Sequence, residues 1–354
     1  MKRVAKIIFF NPWGDGLEPT ESYLSRLPGW NISSRVAVGA NPGLRNMAQL
    51  DCDWHGACTR CFSSLAHPQL KFNPAWVTGI SGLAAVARHC TEPAEEIRWL
   101  VFMAQHPQKL EPALVSFCSF LKKQGVRIAL YAYDEASRIM PCFSSLAPLL
   151  DVIIHDELPL GPAAAGLRSD CIKRHRSWVA NVVPFTVAFN ENPERKIVFL
   201  GSQMGLTPHR QRQIEFLQST YKDRFVIFND HSVSVAARDE LSRYAASFCP
   251  EGRKFNTPAM AHSHTDRPFW SGCLGLVPVS ENSTAGVRLD DLANTGLIVR
   301  YAHGDLKSLH DACEQALDAT NAERRGIYDY FNRHETVGHV LADAIAEAML
   351  RFYP

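Results

Sequence analysis

The chain has 354 residues, of which 46% are hydrophobic, and its formal net charge is +1 with a pI near 7.6. This composition allows a sizeable core in two domains of about 150 residues each and excludes a disordered chain. The near-neutral charge excludes a globally basic nucleic-acid or membrane-surface protein, so a local patch would have to recognise any such partner.

The sequence carries no signal for export or for a membrane span. No run of about 18 apolar residues occurs, and the apolar stretch at the N-terminus is too short for a secretory signal and lacks a small-residue cleavage site. The ten cysteines lie scattered in apolar segments, which is typical of free buried thiols rather than of a disulfide framework. We therefore predict a cytoplasmic protein without a membrane partner.

The first half of the sequence alternates predicted strands and helices, which indicates a parallel sheet with helices on both faces. Strands are predicted at residues 2–10, 36–38, 99–104, 127–133, 149–154 and 179–187, and helices at residues 20–27, 80–89 and 110–123. Asp15 lies in the loop after the first strand, and Asp134 follows the strand at residues 127–133. Because open α/β sheets bind ligands beyond the carboxyl ends of their strands, both aspartates are candidate site residues.

Residues 41–80 are rich in Pro, Gly, Cys and Trp and show no clean periodicity, so we predict either a binding excursion or an irregular loop. Within this segment, the spacing of Cys52, Cys58 and Cys61, with His55 between them, could hold zinc through thiolates and an imidazole. No second pair of ligands follows at convincing spacing. Two interpretations of this segment therefore remain, a metal site and a cysteine-containing loop that binds no metal.

A polar segment with a proline at residues 190–195 predicts a linker to a second α/β domain. Strands are predicted there at residues 197–200, 225–228, 247–250, 276–279 and 297–300, and helices from Pro208 onward and at residues 236–246, 267–273 and 306–319. Apolar residues recur at helical spacing through residues 337–352, which predicts a terminal helix.

Residues 196–217 combine a buried strand, a turn and a cationic helix start. Gly201 and Ser202 break the strand, and the helix that Pro208 begins carries three basic or titratable side chains in its first turns, namely His209, Arg210 and Arg212. Free N–H groups and the positive end of the macrodipole favour a phosphate at such a helix start, and glycine lets the backbone come close. Since neither GxGxxG nor a Walker lysine is present, an ordinary connection with solvated arginines stays open.

With these features in this order, the sequence resembles the GT-B nucleotide-sugar glycosyltransferases and, more narrowly, the phage DNA β-glucosyltransferases. Three stretches carry the resemblance: Gly201-Ser202 followed by basic residues and Glu-Phe-Leu at residues 215–217, an Ala-Ala strand with a polar loop and an Arg-bearing helix start at residues 245–270, and a strand that ends in aspartate at residues 131–134. In the family the arginine is followed three residues later by a Glu that holds the ribose hydroxyls. Here Trp270 stands in its place, so either Glu281 or Asp266 would take that role or the nucleotide would bind in a different position.

The resemblance implies two Rossmann-like α/β domains that face each other across a cleft. It implies an acceptor-binding domain at residues 1–190, a nucleotide-sugar-binding domain at residues 191–332 and a terminal helix at residues 333–354 that packs back on the first domain. The donor, a UDP-sugar before other nucleotide sugars, would be bound mainly by the second domain.

Sugar transfer needs a carboxylate that takes the proton of the acceptor hydroxyl, and Asp134 is the first candidate and Asp15 the second. A helix-capping or turn role is the alternative for Asp134. The departing diphosphate needs cations and N–H groups, and we predict no metal requirement for the chemistry. The candidate donor-binding residues are Gly201, Ser202, Arg210, Arg212, Arg253, Arg267, Trp270 and Glu281.

The narrower resemblance makes a hydroxylated base in phage DNA the lead acceptor, reached in the host cytoplasm. Lys173, Arg174 and Arg176 form a basic patch that could follow a phosphate backbone, or equally a solvated helix face. A glycan, a protein or a small molecule stays open as acceptor. A nucleotide-sugar-binding protein without turnover is one alternative from another functional class, and a sugar epimerase or phosphorylase of similar architecture is a second.

Overall fold

The computed structural model describes residues 3–11, 70–78, 83–91, 97–104, 112–132, 143–155, 166–175, 184–201, 206–228, 239–250, 266–282 and 287–352. The chain divides into two compact units. Unit 1 comprises Met1–Ser177 and Val337–Pro354, and unit 2 comprises Trp178–Thr336. In the part of the chain so described, no helix has both the length and the apolar character that a membrane crossing requires.

Unit 1 contains a six-stranded sheet in which every neighbouring pair is parallel. Its strands are β1 (Arg3–Asn11), β2 (Leu70–Thr78), β3 (Ile97–Ala104), β4 (Arg127–Ala132), β5 (Val152–His155) and β6 (Ile172–His175). They lie in the order β2-β1-β3-β4-β5-β6. The helices described in this unit are α1 (Leu83–Thr91), α2 (Pro112–Lys123) and α8 (Val337–Phe352), and α8 packs against β5 and β6.

Unit 2 contains a second parallel sheet, with five strands. These are β7 (Glu194–Leu200), β8 (Phe225–Phe228), β9 (Tyr244–Cys249), β10 (Val277–Glu281) and β11 (Val299–Tyr301), in the order β11-β10-β9-β7-β8. The helices are α3 (Pro208–Tyr221), α4 (Arg267–Cys273), α5 (Val287–Asn294), α6 (Leu306–Leu317) and α7 (Asn321–His334). The predicted fold class of two parallel α/β domains is confirmed.

In both sheets the strand order reverses once: the second strand is added on one side of the first, and the third strand on the other side. In unit 1 the chain leaves β1 for β2 on one side and returns to β3 on the other, and in unit 2 it leaves β7 for β8 and returns to β9. Crossover connections diverge at such a point, which opens a crevice beyond the carboxyl ends of the two strands that flank it. The expected ligand positions are therefore the ends of β1 and β3 in unit 1 and of β7 and β9 in unit 2.

Unit 2 begins earlier than the linker predicted at residues 190–195. Val187 is buried in its core, and the Tyr328 hydroxyl of α7 donates a hydrogen bond of 2.6 Å to the Val187 carbonyl. The Phe185 amide donates to Asn332 Oδ1 at 2.7 Å. Residues 184–190 therefore pack on α7, which is why the compact units divide before them rather than after residue 190.

Several predicted elements differ from the structure. The strand predicted at residues 179–187 is absent from its described part, residues 184–187, because Pro184 cannot donate to a ladder and Phe185 has a φ of 57°. The strand beside β5 is β6 instead, so the alternative that Lys173 and Arg174 lie on a helix face is wrong. The predictions at residues 20–27 and 36–38 lie outside the described residues.

Two further errors have local causes. β2 lies in the segment predicted to be without regular structure, and its Pro74 is tolerated because β2 is an edge strand. The helix predicted at residues 236–246 extends too far, since β9 already begins at Tyr244. Ala245 and Ala246 favour a helix intrinsically, but burial between β7 and β10 overrides that preference.

The close packing of α4 on α7 depends on a glycine and supports a stability prediction. A Cβ at Gly272 would overlap the ring of Phe331, reaching to 2.7 Å from Cε2, and that ring is fully buried. We expect Gly272→Ala to lower the free energy of unfolding by about 1 to 3 kcal/mol, because an overpacked core has to shift backbone or side chains. Urea titration at constant temperature measures this change in the free energy of unfolding.

Gly326 of α7 provides the matched control, because a Cβ there would meet no atom within 4 Å. Gly326→Ala is expected to raise stability by roughly 0.5 to 1 kcal/mol through helix propensity alone. Equal effects of the two substitutions would contradict the close contact between α4 and α7.

Candidate functional site

The carboxyl end of β7 lies at the switch point of unit 2 and is occupied by Gly201 and the side chain of Arg267. Arg267 Nε donates a hydrogen bond of 2.8 Å to the Leu200 carbonyl, and its guanidinium lies 5.7 Å from the centre of the Phe199 ring. A Cβ on Gly201 would come within 2.9 Å of that ring and 3.1 Å of Arg267 Nη2. A glycine is therefore needed at position 201 to let the guanidinium lie against the end of the strand.

Arg267 is held by the main chain and not by an acid. Among the described residues no carboxylate forms an ion pair with it, and its one hydrogen bond there uses Nε. This anchoring fixes the orientation of the guanidinium plane, and the two terminal nitrogens carry the donors that bind a phosphate or carboxylate in a forked geometry. The arrangement suits an anionic ligand beyond the end of β7.

Helix α3 begins just after this strand end. Thr207 caps it by accepting a hydrogen bond from the Arg210 amide at 3.3 Å, and Pro208 occupies its first turn. Arg210 is buried and Arg212 is exposed. The positive end of the α3 macrodipole lies at the same edge of the sheet as Arg267.

A second cluster lies at this edge, at the ends of β10 and β11. Glu281 is the last residue of β10, and its side chain is fully buried. Its Oε1 lies 2.7 Å from His209 Nε2 and 3.2 Å from His303 Nδ1. The two imidazole rings stack with their centres 4.6 Å apart. Imidazole nitrogens from the first turn of α3 and from the turn after β11 thus converge on one carboxylate.

The carboxylate is held in place by neutral donors as well. Gln213 Nε2 donates to Glu281 Oε1 at 2.9 Å and the Gly304 amide donates to it at 3.1 Å. Gly304 has a φ of +73°, a conformation that glycine adopts without strain, and this turn directs its amide toward the carboxylate. Tyr301, opposite Glu281 in the β10–β11 pairing, is buried, and burial together with the Glu281 charge raises the pKa of Tyr301 so that its hydroxyl stays protonated.

The cysteine at the end of β9 is not a nucleophile. Cys249 is buried beside Ser247 and Ser271, and burial raises its pKa to about 11. Because the thiolate is the reactive form, this thiol is inert near neutral pH.

The structure brings together some of the sequence-predicted donor residues. Gly201 and Arg267 are in contact at the end of β7, and Glu281 lies at the end of β10 in the same sheet. Trp270 is 2% exposed and packs in the core, so its side chain offers no surface to a ligand. Asp266 precedes α4 and is partly exposed.

Other predicted residues are only partly covered by the structure. On β6, Lys173 is exposed and Arg174 forms an ion pair with Glu347 of α8. Outside the described residues lie Asp15, Asp134, Ser202, Arg253, Arg176 and the candidate zinc ligands Cys52, His55, Cys58 and Cys61.

Sequence reasoning missed His303 and Gln213 and gave His209 no role beyond the basic helix start. Gln213 lies one helical turn after His209, so a helix-face argument could have paired the two. His303 follows β11 and meets Glu281 because β10 and β11 are neighbours in the sheet. No sequence spacing signals that neighbour relation.

Comparison with known proteins gives fold similarity alone. No protein-family profile and no curated protein matches the sequence. Among solved structures, HepE of Anabaena in complex with UDP and glucose is 11% identical with a TM-score of 0.46, and the match covers 98% of this chain and 100% of that one. AviGT4, a glycosyltransferase of avilamycin A biosynthesis, is 13% identical with a TM-score of 0.40 over 71% of this chain and 97% of its own.

The spinosyn rhamnosyltransferase SpnG is a further match, 12% identical with a TM-score of 0.40 over 96% of this chain and all of its own. Matches of this degree assign no activity to the present chain. What its own residues provide is a guanidinium anchored beside Gly201 at the switch point of a parallel sheet.

Proposed function

We propose that the protein is a glycosyltransferase that moves a sugar from a nucleotide-sugar donor to an acceptor hydroxyl, and that unit 2 binds the donor. The observation that carries the proposal is the anchored Arg267 beside Gly201 at the switch point between β7 and β9. A diphosphate suits this position because it is anionic, extended and able to accept from the guanidinium fork beside the positive end of the α3 macrodipole.

The proposed chemistry divides between donor and acceptor groups. As the bond between the sugar and the diphosphate breaks, negative charge grows on the leaving phosphate, and Arg267 with the start of α3 stabilises that charge. Ser202, Arg210, Arg212 and Arg253 are proposed as further donor-binding residues. A carboxylate of unit 1, Asp134 or Asp15, takes the proton of the acceptor hydroxyl.

Calorimetric titration with UDP, UDP-glucose and a panel of other nucleotides tests the donor class. UDP compounds come first because the resemblance in sequence implies a UDP-sugar. The proposal expects binding of at least one nucleoside diphosphate and its sugar, with a nucleoside monophosphate binding more weakly because one phosphate is missing. Absence of binding to every nucleoside diphosphate would contradict it.

Turnover separates an enzyme from a binding protein. Release of free nucleotide from the bound donor is measured with and without candidate acceptors, because many transferases also hydrolyse their donor slowly. A chain that binds the donor but releases no nucleotide with any acceptor class would be a non-catalytic nucleotide-sugar-binding protein.

Duplex DNA that contains a hydroxylated base remains the first acceptor to test. One observation weakens it, since Arg174 is paired with Glu347 and its charge is partly neutralised. If DNA is the acceptor, we expect the affinity for duplex to fall steeply between 50 and 200 mM salt, by roughly 10³-fold or more for six or more phosphate contacts.

Fluorescence anisotropy with labelled duplex over a salt series makes this measurement. Lys173→Ala should weaken duplex binding and reduce its salt dependence, because Lys173 is exposed on β6. Lys307→Ala is the control, since Lys307 is also exposed but lies on α6 in unit 2, where it pairs with Asp311. Duplex binding that is undetectable or insensitive to salt moves the proposal to a glycan, protein or small-molecule acceptor.

A further inference from the structure

We propose that His209, Glu281 and His303 form a binding site for one divalent transition-metal ion, with Zn²⁺ as the first candidate. The ligand atoms of these three side chains lie within 4.8 Å of one another. Two imidazoles and one carboxylate are a ligand set that zinc accepts in proteins. The inference is independent of the proposed glycosyltransferase activity, because it concerns only the affinity of this cluster for a cation.

The charge state of the cluster is the first argument. Glu281 is fully buried, and among the described residues no lysine or arginine pairs with it, so its only charged neighbours would be the two histidines. A buried carboxylate without a compensating cation is costly, and proteins resolve that cost by pairing or by coordinating a metal.

The second argument is an unused acceptor. Four nitrogen atoms, from His209, Gln213, His303 and Gly304, surround Oε1, whereas Oε2 is buried and receives no hydrogen bond from the residues that the structure describes. Buried polar atoms are rarely left without a partner, so a buried carboxylate oxygen without a hydrogen bond beside two imidazoles favours a cation as its partner. A metal ion supplies what Oε2 lacks.

The surroundings provide support and access. Gln213 and the Gly304 amide donate to Glu281 Oε1, and hydrogen bonds from such outer partners position metal ligands. The His209 and His303 side chains are 36% and 62% exposed, so a cation can reach the cluster from solvent. Three protein ligands leave the fourth position of a tetrahedral ion to water or to an anionic ligand.

The ligand types also set the expected selectivity. Imidazole favours zinc, cobalt, nickel and copper, whereas magnesium and calcium prefer oxygen ligands. We therefore expect the full chain, stripped of metal with a chelator, to bind one equivalent of Zn²⁺ or Co²⁺ at this cluster and to show no competing effect of Mg²⁺ in excess.

The experiment uses Co²⁺ absorption and Zn²⁺ competition against a chromophoric chelator on the full-length protein. His303→Ala is the principal variant because its side chain is largely exposed and its loss should not unfold the chain. It is expected to weaken metal binding at this cluster at least about 100-fold, since even outer-shell changes cost roughly 10- to 100-fold. His209→Ala should have a similar effect.

His310→Ala is the matched control, an exposed histidine of α6 that also lies beside a carboxylate, Asp311, but outside the cluster. It should bind metal like the wild-type chain. Melting temperatures of all three variants without metal identify any loss of folding, and with Zn²⁺ the wild-type and His310→Ala melting temperatures should rise while the other two should not.

The cysteine motif has to be separated from this site. All measurements are repeated on a chain with Cys52→Ser, Cys58→Ser and Cys61→Ser, and cobalt bound by thiolates would show a near-ultraviolet charge-transfer band that cobalt bound by imidazoles and a carboxylate lacks. Retention of one equivalent in the serine background, lost on His303→Ala, supports the proposal. No metal in that background, or the same affinity with and without His303, would overturn it.

Discussion

An Asp134→Asn variant is expected to transfer sugar about 10²- to 10⁴-fold more slowly than the wild-type chain while it binds the donor with unchanged affinity. The structure ends β4 at Ala132, so Asp134 follows the carboxyl end of a parallel strand by two residues. Asparagine keeps the size and most of the hydrogen bonding of aspartate but cannot take a proton. Transfer rate, donor affinity and melting temperature, measured on the same variant, test the expectation together.

A turn or capping role for Asp134 predicts a different pattern. Since Asn also caps well, the variant would then lose about 1 kcal/mol of stability or less and transfer at nearly the wild-type rate. That outcome would remove Asp134 from the chemistry.

Asp15 is the companion test, and the sheet topology gives it a separate argument. The switch point of unit 1 lies between β1 and β3, and Asp15 is in the segment that follows β1, whereas β4 is one strand farther away. If Asp15→Asn is slow and Asp134→Asn is fast, Asp15 is the base. Full activity in both variants would contradict a base from either of these two strand ends.

Local pattern was sufficient to predict much of the fold. The helix at residues 337–352 and the strand at residues 225–228 have the predicted bounds, because apolar residues recur at helical spacing in one and form a short β-branched and aromatic run in the other. The predictions of secondary structure fail where the position of a strand within its sheet outweighs the local sequence pattern. β9 became a strand despite its alanines because it is central, and β2 tolerates a proline because it is at an edge.

One missed helix had a readable signal. Thr320 and Glu323 form a capping box at the start of α7, each side chain bonded to the other's backbone amide, and the Thr-x-x-Glu spacing could have been found in the sequence. α5 has no such box among its described residues, and its first residue follows a segment that the structure does not describe.

The candidate sites likewise contain some residues that local sequence features predict and others that only the fold brings together. Gly201 and Arg267 were predicted because a strand-turn-helix and an arginine before a strand are local features, yet the contact between them spans 67 residues along the chain from Leu200 to Arg267. The cluster of His209, Glu281 and His303 could not be predicted, since His209 and Glu281 are 72 residues apart and meet only through the strand order of the second sheet. Strand order is set by packing of whole elements, which short spacings do not encode.

Removal of the anchored arginine is the second large expected effect. Arg267→Ala should weaken binding of a nucleoside diphosphate roughly 10- to 150-fold, because a charge-assisted contact to a phosphate is worth about 1.5 to 3 kcal/mol. The fold should lose less, about 0.5 to 1.5 kcal/mol for the hydrogen bond from Nε to the Leu200 carbonyl. Calorimetry of UDP binding and urea unfolding measure the two quantities separately.

Arg267→Lys refines the test. Lysine keeps the positive charge but neither the forked donors nor the bond from Nε that orients them, so an affinity between those of the wild-type chain and the alanine variant indicates that orientation contributes beyond charge. Wild-type affinity in the lysine variant would mean that charge alone matters at this position.

Arg224 provides the matched control in the same sheet. It also lies against an aromatic ring, 5.1 Å from the centre of Tyr221, but it precedes β8 and is therefore at the amino edge, opposite to the edge where Arg267 lies. Arg224→Ala should leave UDP affinity unchanged, because parallel strands direct all their carboxyl ends, and hence the ligand crevice, to the other edge. Equal affinity losses in the two alanine variants would indicate a general effect of charge, and unchanged affinity in Arg267→Ala would place the diphosphate away from the end of β7.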